Sequence, residues 1–190
     1  MRTVTTNCVI LGTKTFTEND KLVFMYSEDL GKIKVIAKGA KKLLSKFTGH
    51  LETLNSVTAV LYKGPRNIIL TEISIQKNYF KSVKSLEKIR NALKIAEITN
   101  KILYEEQKLQ GLMALLIETL EIFTSTKKSA LITLAYIIKL LDKAGFIGES
   151  KDFLKELKDK PLKEIEKITL KKDDKKQIER FITKTIHATL

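Results

Sequence analysis

The sequence predicts an α+β protein, with a closed five-stranded β-barrel over residues 1–80 and an α-helical bundle over residues 81–190. Three observations carry this expectation. The first part alternates apolar and polar residues with a period of two, and glycine-containing turns interrupt it. From Ser82 the apolar residues recur at helical spacing. Excess positive charge of a single sign sits in the first part, whereas the second mixes both signs.

The strands follow in order. Thr5–Leu11, Leu22–Tyr26, Lys32–Lys38, Val57–Tyr62 and Ile68–Ile75 are rich in β-branched and aromatic residues, which suit a pleated, half-buried surface. Breaks fall at Glu18-Asn19-Asp20, Asp29-Leu30-Gly31, Gly39 and Gly64-Pro65-Arg66, residue types that make turns. Five short strands in about eighty residues fit an oligonucleotide-binding (OB) barrel, because closure leaves no open sheet edge. Ser82–Ser85 is the expected junction. Beyond it, Leu86, Ile89, Leu93, Ala96 and Leu103 form one apolar stripe. Leu112–Phe123 and Ser129–Leu141 are apolar around much of their circumference and read as the central helices of the bundle. Gly145 and Gly148 frame a break. Lys151–Lys158 and Lys172–Ala188 are amphipathic and belong on its outside.

Charge narrows the function. The chain carries a net charge of +13 over 190 residues, which favours a polyanionic partner, nucleic acid first and an anionic membrane surface second. Residues 31–66 hold eight Lys/Arg against a single acid, Glu52. Within them, Gly31–Lys46 contains six lysines and no acid. Lys32, Lys34 and Lys38 share one strand face at even spacing; Lys41, Lys42 and Lys46 extend the charge into a loop. A row of cations on a rigid strand, continued by a basic loop, matches a phosphate backbone. Lys63 and Arg66, at the turn between the last two strands, enlarge this surface, and Lys14 stands near it. A surface built mostly of Lys, a point charge rather than a planar fork, implies backbone contact with little sequence preference. Tyr62 is the candidate for base stacking; Phe16, Phe24 and Phe47 read as barrel core.

Other chemistries find little support. Cys8 is the only cysteine, so no internal disulfide forms, and its apolar strand suits a small hydrophobe better than a nucleophile. His50 and His187 stand in unrelated contexts. Glu18 and Asp20, before a strand, fit turn chemistry rather than a metal pair. No phosphate-cradling GxxxxGK[ST] motif occurs. The longest apolar run, Ala130–Leu141, contains Lys139 and is too short to span a bilayer, and MRTVTTNCVI lacks the apolar core of a signal peptide. The expectation is a cytoplasmic protein with no membrane partner.

Several runs resemble a known family. Thr17-Glu18-Asn19-Asp20-Lys21-Leu22 is similar to the Gly-Glu-(Thr/Asn)-Asp-(Arg/Lys)-(Leu/Ile) element near the start of RecO recombination mediators. Gly31-Lys32-Ile33 followed by Ala37-Lys38-Gly39-Ala40-Lys41-Lys42 resembles their next element. Ser45-Lys46, Leu51-Glu52, Tyr62-Lys63-Gly64 and Leu70-Thr71-Glu72 fall in matching order. Leu140-Leu141-Asp142-Lys143-Ala144-Gly145-Phe146 resembles a motif in the helical half, where Pro161-Leu162 and His187 also find places. One departure stands out. RecO proteins often carry a four-cysteine zinc knuckle after the Gly-(Tyr/Phe) element, whereas Gly145-Phe146-Ile147-Gly148-Glu149 runs here into Ser150, so the resemblance is to a member without the knuckle.

The resemblance implies a non-enzymatic, nucleoid-associated mediator without cofactor or metal. Such a protein binds single- and double-stranded DNA, anneals strands and works with a RecR-like protein to load the RecA recombinase. It also implies recognition of the acidic, apolar C-terminal tail of single-strand-binding protein. A tail of that kind needs an apolar groove edged by cations. Lys81, Lys84, Lys88 and Arg90 near Tyr79 and Phe80 offer one rim; Lys127 and Lys128 offer another. The alternatives are an OB-fold RNA-binding module and a protein-interaction module without annealing activity.

Overall fold

The computed structural model describes residues 2–81, 83–148 and 152–189. Ser82 at the expected junction, and Glu149, Ser150 and Lys151 after the helical glycines, lie outside the described residues. The chain divides into two compact units, Met1–Lys81 with Leu103–Lys108, and Ser82–Ile102 with Leu109–Leu190.

The first unit is a closed barrel. Its strands are β1 (Thr3–Thr15), β2 (Lys21–Ser27), β3 (Gly31–Ala37), β4 (Ser56–Lys63) and β5 (Ile68–Lys77), in the order β1-β2-β3-β5-β4. β1 closes it by serving two partners: Thr3–Val9 pair with β4, and Cys8–Thr15 pair with β2 across an irregularity between Ile10 and Gly12. The β3–β5 seam is parallel, with Val35 opposite Ile68 and Ile36 opposite Ile69. Alternation fills the interior: Val23 and Met25 of β2, Ile33, Val35 and Ala37 of β3, and Val57, Ala59 and Leu61 of β4 all face one core. Phe47 and Leu51, from the loop after β3, join that core.

The second unit holds α1 (Leu86–Ile102), α2 (Leu112–Ser125), α3 (Ser129–Lys143), α4 (Asp152–Asp159), α5 (Leu162–Ile165) and α6 (Lys172–Thr189). α3 packs against each of the other five, which explains why it is apolar on nearly every side. Its end is a Schellman turn. Gly145 N–H donates to the Asp142 carbonyl and Phe146 N–H to the Leu141 carbonyl, with Gly145 at φ 80. That geometry accounts for the Ala144-Gly145-Phe146 signature. A buried hydroxyl pair, Thr99 Oγ1 and Tyr136 Oη at 2.7 Å, joins α1 to α3. The α1 stripe is rotated from the expected one: Ala92, Ile95, Ala96, Thr99 and Ile102 are buried, while Leu86 and Leu93 are exposed. The small Ala92 and Ala96 let the helix face its neighbour closely, and the sequence pattern around Leu86 and Leu93 overrated their bulk. The short α5 carried no periodicity long enough to be read.

Candidate nucleic-acid interface

The basic loop is built by the two runs on either side of β2 and β3. Asp20 ends the β1–β2 turn, where its backbone N–H donates to Thr17 Oγ1 at 3.1 Å. Its carboxylate Oδ1 then accepts the Gly39 N–H at 2.8 Å, and the neighbouring Asn19 carbonyl accepts the Lys41 N–H at 3.0 Å. Gly39 sits at φ 70, a left-handed conformation that glycine takes without strain. Asp20 therefore does turn work, as its sequence context suggested, and fixes where the basic loop leaves the barrel. Successive turns carry the chain on, with Lys42 N–H on the Gly39 carbonyl and Ser45 N–H on the Lys42 carbonyl, both at 3.1 Å. Buried Phe47 then returns it to the core. Lys38, Lys41, Lys42 and Lys46 are all exposed along this path. Lys46 Nζ donates to the Thr71 carbonyl at 2.6 Å and lies 5.4 Å from the Phe47 ring centre. A depression of about 530 Å³ beside the loop is lined by Lys21, Lys41, Lys42, Phe47 and Gly49, among others.

A second cleft of the same unit, about 330 Å³, gathers Lys32, Lys34, Lys63 and Arg66 with Glu105 and Glu106. Of the predicted cations, Lys41 and Lys42 thus line the first depression and Lys32, Lys34, Lys63 and Arg66 the second, and the two share no lining residue. Lys63 and Arg66 flank the tight β4–β5 turn, closed by Gly64 N–H on the Asn67 carbonyl at 3.0 Å. The lysine row on β3 is interrupted: Ile36, on the same face as Lys34, is buried at the parallel seam. Lys38 lies just past the end of the strand.

Residues 103–108 account for the rest. Glu106 N–H donates to the Lys32 carbonyl at 2.7 Å, and Lys32 N–H donates to the Gln107 carbonyl at 3.1 Å. Lys32 Nζ donates to the Leu103 carbonyl at 2.7 Å. Burial pushes the Lys32 ammonium below the ordinary lysine value, and the Glu105 carboxylate offsets part of that. Lys32 is therefore a structural anchor for this segment, half-buried, rather than one more exposed cation. Glu105 reaches Lys34 at 2.6 Å in an ion pair exposed on both sides. Sequence reasoning missed the segment because the helical spacing of α1 runs on to Leu103, and no local pattern marks a stretch that pairs with β3.

The Glu105 carboxylate pairs with the Lys34 ammonium and would compete with a phosphate oxygen for it, if Lys34 contacts DNA as the sequence expects. Glu105→Gln removes that competitor, and because exposed pairs are weak the expected gain is about threefold in DNA affinity. An unchanged or lower affinity in a fluorescence anisotropy titration would show that Lys34 takes no part.

The remaining candidates separate clearly. Tyr62 is half-buried, and its hydroxyl accepts from Arg2 Nη1 at 3.4 Å. Phe47 is buried as expected and Phe24 half-buried, with Lys14 Nζ 5.7 Å from its ring centre. Phe16 departs from its expected core place, being 50% exposed at the end of the β1–β2 hairpin, where no layer covers it. Burial pushes the Cys8 thiol up to about 12, which leaves it unreactive as a nucleophile. Among the described residues no group of three or more His, Cys, Asp or Glu is placed to hold a metal ion, and after the α3 turn the sequence offers no cysteine and one histidine, His187, too few ligands for a four-cysteine knuckle. Among the described residues no helix is long and apolar enough to cross a membrane.

In the helical unit, a cavity of about 270 Å³ is lined by Leu131, Leu134, Ile168 and Leu170 and edged by Lys128 and Lys175. Lys128 Nζ donates to the Ile168 carbonyl at 2.9 Å. Of the two rims read from the sequence, this one has an apolar floor; at the other, Tyr79 is buried and Lys88 Nζ turns to the Thr124 carbonyl at 3.5 Å.

Comparison with known proteins gives a consistent pattern. Residues 1–79 match the family model described as the N-terminal region of recombination protein O. The DNA repair protein RecO of Caldanaerobacter subterraneus subsp. tengcongensis is 26% identical over 148 residues, covering 77% of this chain and 60% of that protein. The RecO protein of Clostridium perfringens is 32% identical over 139 residues, 73% of this chain and 56% of that protein. That of Clostridium novyi is 34% identical over 102 residues, 54% of this chain and 40% of that protein. The chain thus spans between 40% and 60% of the length of these relatives.

Proposed function

With residues 1–79 belonging to the RecO family, we propose that this chain is a recombination mediator of DNA repair that binds single- and double-stranded DNA and promotes strand annealing. The observation that carries this is the exposed, one-signed loop of Lys38, Lys41, Lys42 and Lys46, tied at its start to the β1–β2 turn by the Asp20–Gly39 hydrogen bond. Lys63 and Arg66 add a second group of cations. Two complementary strands repel each other through their phosphates. Lysines that neutralise both backbones lower that repulsion, and base pairing then supplies the specificity. No covalent step is required of any side chain, so the protein acts as a binder rather than an enzyme.

Two partners follow from the same proposal. The groove between Lys128 and Lys175 suits the acidic, apolar C-terminal tail of single-strand-binding protein. A RecR-like protein is the expected companion in recombinase loading. Both place the protein in the cytoplasm, with the nucleoid.

Fluorescence-monitored annealing of complementary oligonucleotides, with and without single-strand-binding protein, tests function and partner together. Annealing is expected to accelerate, and to persist on strands coated by single-strand-binding protein only when its tail is intact. With about six phosphates neutralised on a single strand, log affinity falls against log salt with a slope of about −4. A flat salt dependence would rule the electrostatic mechanism out. RNA outcompeting DNA of equal length would favour an RNA-binding module instead.

A further inference from the structure

Leu43 and Leu44 are 95% and 97% exposed. They occupy the two central positions of the turn closed by Ser45 N–H on the Lys42 carbonyl at 3.1 Å. Such positions ordinarily take Gly, Pro, Asn, Asp or Ser, whose conformations or side chains favour a turn. Two adjacent leucines add nothing to that chemistry. Nor do they pack on the barrel, since Phe47 and Leu51 already supply this loop's contribution to the core. The turn is fixed on both sides: Lys41 N–H bonds the Asn19 carbonyl before it, and Thr48 N–H bonds the Ser45 carbonyl after it. The leucines are therefore held out in solvent by a built structure, with Lys41 and Lys42 immediately before them and Lys46 two residues after.

Charge selects the occupant. An apolar tip between cations complements a ligand that offers apolar surface between anionic groups. An unpaired nucleic-acid strand does so with bases between phosphates. Leucine is among the side chains that insert against base steps, and doing so in a duplex carries an unstacking cost that an unpaired strand largely lacks. We propose that the Lys42–Ser45 turn is an apolar wedge, in which Leu43 and Leu44 seat against the unpaired bases of a single strand while Lys41, Lys42 and Lys46 hold the flanking phosphates. This deepens the DNA-binding function proposed above and rests on it. The loop then contributes a preference for single over double strands, which lysines alone do not supply, and it holds bases splayed from one another before they pair.

The test compares the parent chain with Leu43→Ser/Leu44→Ser, a change of two exposed side chains that leaves every lysine in place. The probe is a single-stranded oligonucleotide carrying 2-aminopurine, whose fluorescence rises when the base is unstacked. The parent is expected to raise the fluorescence. The variant is expected to leave it near the free-strand level, to bind about tenfold more weakly, and to keep the parent's salt slope and duplex affinity. If the parent binds the oligonucleotide with no rise in fluorescence, or the variant matches the parent, the wedge is wrong and the DNA-binding proposal stands. If the parent does not bind DNA, both fall. Leucine-dependent sedimentation with phosphatidylglycerol vesicles, without the fluorescence rise, would assign the tip to an anionic membrane and overturn the wedge.

Discussion

A chain carrying Lys38→Glu, Lys41→Glu and Lys42→Glu binds single-stranded DNA at least about a hundredfold more weakly at 0.1 M salt than the parent, and its salt slope falls from about −4 to about −2. The magnitude follows from counterion release. Each neutralised phosphate contributes about 0.7 decade of affinity per decade of salt below the molar range, so three lost contacts remove about two decades at 0.1 M. Reversal of sign adds repulsion to the loss. The fold has little stake in these side chains, since all three are exposed and the loop is held by backbone bonds and by Asp20. Circular dichroism and thermal unfolding therefore stay close to the parent, and annealing is lost with binding. A triple variant that anneals as fast as the parent would move the DNA track to the other group of cations, around Lys34, Lys63 and Arg66.

Gly31→Ala is expected to destabilise the first unit by about 3 kcal/mol, lowering its unfolding midpoint by on the order of 10 °C. Two effects add. Gly31 sits at φ 70, where an alanine side chain is strained by about 1 kcal/mol or somewhat more. A Cβ there would also stand 2.4 Å from the Gln107 carbonyl oxygen, a backbone atom that cannot swing away. The chain relieves that overlap by moving residues 103–108, which gives up the hydrogen bonds of Lys32 N–H and the Glu106 N–H. Gly49→Ala is the internal comparison. Gly49 has φ 75 with nothing within 4 Å of a Cβ, so it shows the backbone strain alone. Equal midpoints for the two variants would mean that the close approach at Gln107 contributes nothing. Release of the segment would also free Lys34 from Glu105, so Gly31→Ala is expected to bind DNA no more weakly than the parent despite its lower stability.

The sequence made the barrel legible because closure depends on local facts. Alternation in Val57–Leu61 and Ile33–Ala37 set which side chains face inward, and the turns at Asp20, Gly31, Gly39 and Gly64 needed residue types that announce themselves. The same held for α3, whose uniform apolarity marked it as central. The α1 stripe was misjudged through Leu86 and Leu93, because periodicity shows that a face exists, while packing with a neighbour decides which face is used.

By itself, then, the sequence determined the order and kind of every element but the short α5, the one-sign charge of the loop after β3, and the resemblance carried by Thr17–Leu22 and Ala37–Lys42. Only the tertiary structure decided what those runs do for each other: the Asp20 carboxylate meets Gly39 across nineteen residues and aims the loop. It also decided which lysines already have a partner within the chain. Lys32 and Lys34 share one strand face with regular spacing, yet the Leu103 carbonyl takes one ammonium and Glu105 pairs with the other. The physical reason is that a residue's charge is local, whereas its exposure and partners are set by segments that return to it from far along the chain.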